Sequence, residues 1–347
     1  MLPQRMTHRR SSPADAIHDL LAAGWRAQAL RTFVAFGCPQ QLTIYGPMMA
    51  DELAVRVGAV AAALEPVLVA LEPFGVVAQT EGHYELGPIG RVLLDGEPDS
   101  MATAVAVDAH PLWQEAMQSL HTTIRTGRPP HGGLYGYLDQ HPDVAELFDL
   151  YMARRTLRTA PAVATHEFGD RVVDLGGGTG IMLAHILRAH PRTTGWVVER
   201  EPVAKRATAH LAEQADIQGR WEVIVGDIFA AGDIPSDATD YLAASVLHNL
   251  SDEATGVLLA TIREVMPPGS RLRLVDMVVP PGAAPDPSRD LGLRMAAMFG
   301  AGERRLGQYA ALLQKAGFRI AEVAHPLPWG LTLITCISDE SDEIEAM

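Results

Sequence analysis

Two cysteines, Cys38 and Cys336, are all that the 347 residues carry. So few, placed so far apart, rule out a disulfide scaffold and a cysteine-built metal site. They read as two free thiols in a cytoplasmic protein. No apolar run approaches the ~18 residues that a membrane span needs. Met1 to Ser12 is basic and polar with no apolar stretch, so neither a secretory leader nor a membrane anchor is expected. Basic residues are the minority, 28 Lys and Arg against 42 Asp and Glu, for a net charge of -14. That balance opposes nucleic acid, whose binding is driven by phosphate neutralisation, and it opposes anionic membranes. Apolar residues, in contrast, make up 48% of the chain, enough for a sizeable core, and the length suits two domains.

The N-terminal third is helical in pattern. Ile17, Leu20, Leu21, Trp25 and Ala29 recur at helical spacing between Pro13 and about Val34. A break follows at Gly37-Cys-Pro39, then a segment Met49–Val57 and a second helix around Ala61–Leu71. Val76–Gln79 and Tyr84–Leu86 alternate about a turn at Glu81-Gly82, as a hairpin does. Helix, turn, helix and hairpin make a winged-helix outline. Its would-be recognition helix carries Glu65 and Glu72 instead of a basic cluster, which favours packing or dimerisation over DNA binding. Residues 1–100 are therefore expected to form this domain and 101–166 a helical connection. In the connection Phe148 and Met152 share one helix face.

From about Glu167 strands alternate with helices, the pattern of a largely parallel, doubly wound sheet over 167–347. The organising stretch is Arg171-Val-Val-Asp-Leu-Gly-Gly-Gly-Thr-Gly180, a buried strand turning through glycines into a helix that starts at Ile181. Such a turn exposes backbone N–H groups and lets a ligand approach them. Counted from Gly176, the dinucleotide fingerprint is met at Gly178 and fails at Ile181, which argues against a pyrophosphate. Asp174 adds a carboxylate, suited to a cationic group. Strands Gly195–Glu199 and Trp221–Asp227 end in further acids, Glu199 and Asp227. In an open α/β sheet these strand ends line one crevice, so the three acids together describe an adenosine ligand that carries a positive charge. A fourth strand from Asp240 leads to Val246-Leu-His248. A helix capped by Ser251 follows, and a fifth strand, Arg271–Val279, contains Asp276. A helix Leu306–Ala316 and two strands, Phe318–Val323 and Leu331–Ile337, complete the pattern, and the acidic tail from Ser338 is expected to fray.

The stretches Asp174-Leu-Gly-Gly-Gly-Thr-Gly180, Gly226-Asp-Ile-Phe229, Val246-Leu-His-Asn-Leu-Ser-Asp-Glu253 and Gly300-Ala-Gly-Glu303 resemble the S-adenosylmethionine-dependent O-methyltransferases of the caffeic-acid and hydroxyneurosporene type. The likeness runs from the helix around Trp25 to Ile337 and includes bacterial enzymes of natural-product synthesis. It implies a Rossmann-like class I methyltransferase domain, with a seven-stranded, mostly parallel sheet, behind an N-terminal winged-helix dimerisation domain. It also implies that the cofactor S-adenosyl-L-methionine is held by Asp174, Gly176 and Gly178, with Glu199 on the ribose and Asp227 and Ile228 on the adenine. His248 is the implied general base, flanked by Asp276 and Glu303. Phenols titrate near a pKa of ~10 and need a base at neutral pH, whereas the sulfonium methyl is already activated, so no metal is required. Phe148, Met152, Asn249, Met295, Met298 and Phe299 are implied to surround a small aromatic acceptor in a homodimeric enzyme. Four positions depart from the family pattern: Asn249-Leu250 replaces Asp-Trp, Asp276 replaces Glu, and Ala244 replaces a lysine, leaving Ser245 as the nearest polar group. Those changes keep open a relative that binds the cofactor yet performs hydroxylation, decarboxylation or a pericyclic step.

Overall fold

The computed structural model describes residues 12–97 and 99–339. The basic stretch before Ser12 lies outside the described residues, as does the tail expected to fray, from position 340 on. The chain divides into two compact units, 1–114 and 115–347.

In the first unit, α1 (Pro13–Ala35) starts from a capping box in which Ser12 and Asp15 exchange hydrogen bonds. α2 (Cys38–Tyr45) occupies the stretch where the sequence shows only a break. Gly37, at φ 68°, turns the chain, and Pro39 sits in the helix's first turn, where its missing N–H is not needed. α3 (Ala50–Val57) and α4 (Ala61–Leu71) follow. β1 (Val77–Thr80) and β2 (His83–Leu86) then pair antiparallel around Glu81 and Gly82, both in the left-handed region as a two-residue hairpin turn requires. Phe33, Leu42, Leu53, Leu68 and Tyr84 make the core. The apolar row on α1 is not part of it: Ile17, Leu20, Leu21 and Trp25 are 59–72% exposed. α5 (Ala102–Ala109) closes this unit and α6 (Pro111–Gln118) carries the boundary. The helical stretch 101–166 is thus divided between the two units.

The second unit opens with α7 (Leu120–Thr126), α8 (Leu134–Leu138) and the long α9 (Pro142–Val163). Strands and helices then alternate: β3 (Arg171–Leu175), α10 (Ile181–Ala189), β4 (Thr194–Glu199), α11 (Glu201–Ala212), β5 (Trp221–Val225), β6 (Asp240–Ala244), α12 (Asp252–Val265) and β7 (Arg271–Met277). α13 (Pro287–Phe299), α14 (Leu306–Lys315), β8 (Phe318–Ala324) and β9 (Leu331–Ser338) complete the unit. The seven strands lie in the order β5-β4-β3-β6-β7-β9-β8, all parallel except β9 and β8.

Both faces of this sheet are covered, which is why its strands read as nearly continuous apolar runs. Side-chain alternation sends Val172 into one core with Leu183 and Ile186, and Val173 and Leu175 into the other with Leu258 and Leu274. By the same alternation Asp174 lies on the α10 side. At the opposite ends of the strands Asp240 is also fully buried, but it is paired with Arg271, Arg273 and the Gly169 N–H. One strand end shifts from expectation with a consequence for the site: β5 stops at Val225, so Asp227 lies two residues past it in the loop.

Candidate active site

The direction of chain winding reverses between β3 and β6, which leaves a crevice beyond their carboxyl ends. Gly176, Gly178 and Gly180 turn the chain out of β3 with φ of 65°, 59° and 78°, a region that side chains other than glycine rarely adopt. Gly177 is required for space: a Cβ there would stand 2.5 Å from Asp174 Oδ2. The turn therefore roofs Asp174, whose carboxylate is 0% exposed and, among the described residues, lacks a well-formed hydrogen bond on either oxygen, the Leu183 N–H being its only, weak, backbone neighbour. Burial, and secondarily the charge of Glu199, push it up to about 7. Asp174, Gly176–Thr179, Met152 and Ala244 line a solvent-open cavity of about 480 Å³. An unpaired buried carboxylate is costly, and a cationic ligand in this cavity relieves that cost.

Glu199 ends β4 with one oxygen accepting from the Gly178 N–H at 3.2 Å and the other from the Arg200 N–H at 2.9 Å. Burial raises its pKa. The structure thus brings Asp174 and Glu199 together on the glycine turn. Asp227 is exposed and caps its own loop, accepting from the Phe229 N–H at 2.9 Å, while Ile228 packs partly into the core beside it. Ser245 follows β6 at φ 56°, an unusual conformation for a side-chain-bearing residue, and its N–H donates to the Val275 carbonyl at 2.9 Å.

His248 lies in the 3₁₀ turn Leu247–Asn249, 4% exposed. Its Nδ1 is 2.6 Å from Glu303 Oε1, and the Glu303 side chain is 0% exposed. A carboxylate only accepts, so Nδ1 carries the proton and Nε2 keeps its lone pair. Burial by itself drives His248 down. The Glu303 hydrogen bond and the charges of Asp276 and Glu303 outweigh it and hold the imidazole above its ordinary 6.5. Asp276 contributes by charge: Oδ2 accepts from the Tyr309 hydroxyl at 3.1 Å, and Oδ1 is buried without a partner among the described residues. Its own pKa is pushed up to about 7 by burial.

The loop is fixed by a residue that sequence reasoning missed. Arg304, buried and adjacent to Glu303, donates to the carbonyls of Leu247 and Leu250 at 2.7 Å each and to Asp252 Oδ1 at 2.9 Å. It grips the backbone on both sides of His248 while Glu303 grips the ring. Tyr309 was missed as well. Neither role leaves a mark in local spacing, because the partners are 33 to 57 residues away.

Met152 lines both the glycine cavity and an adjoining one of about 420 Å³ formed with Arg155, Ser245, Val275 and Trp329. Phe148 approaches Tyr151 with ring centroids 6.4 Å apart. Asn249 donates to the Tyr135 hydroxyl at 3.2 Å and to the Ser245 carbonyl at 3.1 Å, and the Tyr135 ring lies 5.6 Å from that of Phe299. Met295 and Met298 are buried on α13, 8% and 3% exposed. Neither lines these two cavities.

A family model described as an O-methyltransferase domain matches residues 120–319. The mitomycin biosynthesis 6-O-methyltransferase of Streptomyces lavendulae is 31% identical to this chain, over 90% of it and 91% of that protein. The solved structure of CalO1, a methyltransferase in calicheamicin biosynthesis in its S-adenosylhomocysteine-bound form, superposes with a TM-score of 0.80 at 26% identity, covering 94% of this chain and 98% of the other. The aclacinomycin 10-hydroxylase RdmB of Streptomyces purpurascens is also similar, 31% identical over 73% of this chain and 71% of its own.

Proposed function

The chain belongs to the O-methyltransferase family and is an S-adenosylmethionine-dependent enzyme, and on that premise we propose that it methylates a phenolic or enolic hydroxyl of a small aromatic metabolite with His248 as general base. The observation that carries the reading is the 2.6 Å contact between His248 Nδ1 and the buried Glu303. S-adenosylmethionine supplies an electrophilic methyl group when bound at the glycine turn. Asp174, Gly176 and Gly178 hold its charged amino-acid end, Glu199 its ribose, and Asp227 with Ile228 its adenine, with Ser245 alongside. The buried Asp174 carboxylate supports this assignment, since among the described residues neither of its oxygens has a well-formed hydrogen bond.

At the acceptor, His248 Nε2 takes the hydroxyl proton as the oxygen attacks. The ring that becomes an imidazolium is already hydrogen-bonded through Nδ1 to Glu303 and faces the Asp276 charge. The acid thus fixes the tautomer and stabilises the cation, the division of labour seen in a catalytic triad. Met152 faces the flat acceptor, whose alignment supplies much of the rest of the rate, with Phe148, Asn249 and Phe299 around it, while Met295 and Met298, buried on α13, support the pocket from behind. Incubation with S-adenosylmethionine and a panel of phenols tests the base: His248→Ala should lower kcat by roughly 10²–10⁴-fold. An unchanged rate would remove His248 from the mechanism.

A second reading draws on the likeness to a hydroxylase and on Asp276, whose carboxylate is bonded by Tyr309 and not by the imidazole. In it the cofactor's charge assists a reaction without methyl transfer, and S-adenosylmethionine is recovered unconsumed after turnover.

For the first unit we propose a winged-helix dimerisation role in a cytoplasmic homodimer. The order α3, α4, β1, β2 supports the outline, and the exposed row Ile17, Leu20, Leu21 and Trp25 supports burial against a second copy. Among the described residues no single helix is long and apolar enough to cross a membrane. Light scattering on Leu21→Asp checks the dimer: a mass unchanged from the wild type would place the interface elsewhere.

A further inference from the structure

β7 carries an acid into the core. Leu272 and Leu274 face the α12 and α14 side of the sheet, and two-residue alternation sends Asp276 to the same side, fully buried. Tyr309 meets it from α14, itself 0% exposed, and its hydroxyl donates to Asp276 Oδ2 at 3.1 Å. Among the described residues that is the one hydrogen bond the carboxylate receives, since Oδ1 has no partner. His248 faces the same acid from the 3₁₀ turn, and Glu303 and Arg304 face it from the segment ahead of α14. Two buried carboxylates thus flank one imidazole and are held differently. Glu303 is bonded to the ring at 2.6 Å, whereas Asp276 is bonded to a phenol.

A buried tyrosine needs a partner for its hydroxyl, and the partner here is an acid of the active site. Burial, with the charges of Asp276 and Glu303, holds the Tyr309 phenol well above its ordinary 10, so it keeps its proton and remains a donor. Burial pushes Asp276 up to about 7, while His248, Tyr309 and Arg304 work in the opposite direction. Such an acid stands near half-ionisation at neutral pH, where a donor on one oxygen decides how much of its charge is present. That charge in turn favours the protonated form of His248. We propose that Tyr309 is a positioning residue of the active site: its hydroxyl fixes the Asp276 carboxylate and keeps it ionised, and through that charge sets how firmly His248 holds a proton. Tyr309 lines neither of the two cavities, so it reaches the reaction through Asp276. The consequence for turnover rests on His248 as general base, but the coupling of phenol to imidazole stands on its own geometry.

The coupling can be read without substrate. The full-length protein with isotopically labelled histidine is titrated by NMR, the His248 signal being the one absent from His248→Ala. Tyr309→Phe keeps the ring and deletes the donor. Loss of a hydrogen bond to a charged group raises Asp276 by about 1–2 pH units, so less of its charge remains at neutral pH and the apparent pKa of His248 should fall by about half a unit. Asp276→Asn removes the charge altogether and should lower His248 by about one unit or more. Adding Tyr309→Phe to Asp276→Asn should then change nothing further, because no charge is left for the phenol to hold. Asp276→Ala provides a second uncharged background for the same comparison. A His248 pKa that stays put in Tyr309→Phe, or that falls by the same amount with and without the Asp276 charge, overturns the proposal. The pH–rate profiles then test the assignment of the base: the acid limb of kcat should move with the NMR value while the KM for S-adenosylmethionine is unchanged. An NMR shift of the expected kind with an unmoved limb refutes His248 as the base and leaves the Tyr309 coupling standing.

Discussion

Replacing Asp174 by Asn should stabilise the cofactor-free protein and weaken cofactor binding. The carboxylate is fully buried, neither oxygen has a well-formed hydrogen bond among the described residues, and its pKa is raised from 3.8 to about 7. An unfolded chain ionises this group near 3.8, whereas the folded one keeps its proton until about pH 7. Between those limits the folded state binds more protons, so stability falls as pH rises through the window and the full penalty is present above it. At ~1.36 kcal/mol per pH unit the penalty is on the order of 4 kcal/mol at pH 8. Asparagine removes the charge but leaves an amide without partners, which costs roughly 1–3 kcal/mol. The net gain at pH 8 is therefore about 1–3 kcal/mol, or several degrees of melting temperature at ~2–4 °C per kcal/mol. At pH 4.5 the wild-type carboxyl is neutral in the folded state, and the gain should vanish. Thermal melts of both proteins at the two pH values, with and without S-adenosylmethionine, measure this directly. Added cofactor should raise the wild-type melting temperature more than that of Asp174→Asn. Parallel pH dependence in the two proteins, or equal stabilisation by the cofactor, would refute the argument.

Other consequences are as definite. Glu303→Gln removes the charge and leaves the Nδ1 proton only a neutral acceptor, so burial weighs more on His248 and the acid limb of the pH–rate profile moves to lower pH as the plateau rate drops; a limb that stays put would exclude Glu303 as the imidazole's partner. Arg304→Ala strands the Leu247 and Leu250 carbonyls at roughly 1–3 kcal/mol each while leaving Asp252 in solvent, a loss that urea denaturation should show, with kcat reduced more than KM changes because the His248 loop loses its support. Gly180→Ala puts a Cβ 2.9 Å from Leu211 Cδ1 at a φ of 78°. Left-handed strain of roughly 1–2 kcal/mol plus overpacking of roughly 1–3 kcal/mol should make it one of the more damaging alanine substitutions in the turn, as read by the same denaturation.

How far the sequence reveals this molecule depends on the distance over which each feature is determined. β3 begins and ends where Arg171 and Leu175 suggest, because a run of apolar residues stopped by glycines is a local signal. Ser251 caps α12 through the Ala254 N–H, again within a few residues. α2 is hidden because Gly and Pro together usually mark a break, yet each here occupies a position at which a helix start tolerates it. The row on α1 shows how periodicity identifies a helix but not what covers it: Trp25 and Leu20 have the right spacing and stay exposed among the described residues. In the site, Asp174 and Glu199 were legible from their strand ends. Asp227 sits beyond its strand because β5 ends at Val225. The Tyr309–Asp276 bond and the Arg304 grip depend on chain segments brought together only by the finished sheet, so nothing in the spacing announces them.

Glu303 and Arg304 stand side by side where Arg304 bridges to Val278, just past β7. Neighbouring residues in such an extended segment point to opposite sides, and here one side takes the imidazole and the other the backbone that carries it. The dipeptide is therefore a phase marker. A slip of a single residue in the loop after α13 would exchange a carboxylate for a guanidinium against the base and invert its proton affinity. Any change of length in this loop that keeps the His248–Glu303 contact must therefore leave the step from Glu303 to Arg304, and its bridge to Val278, in phase.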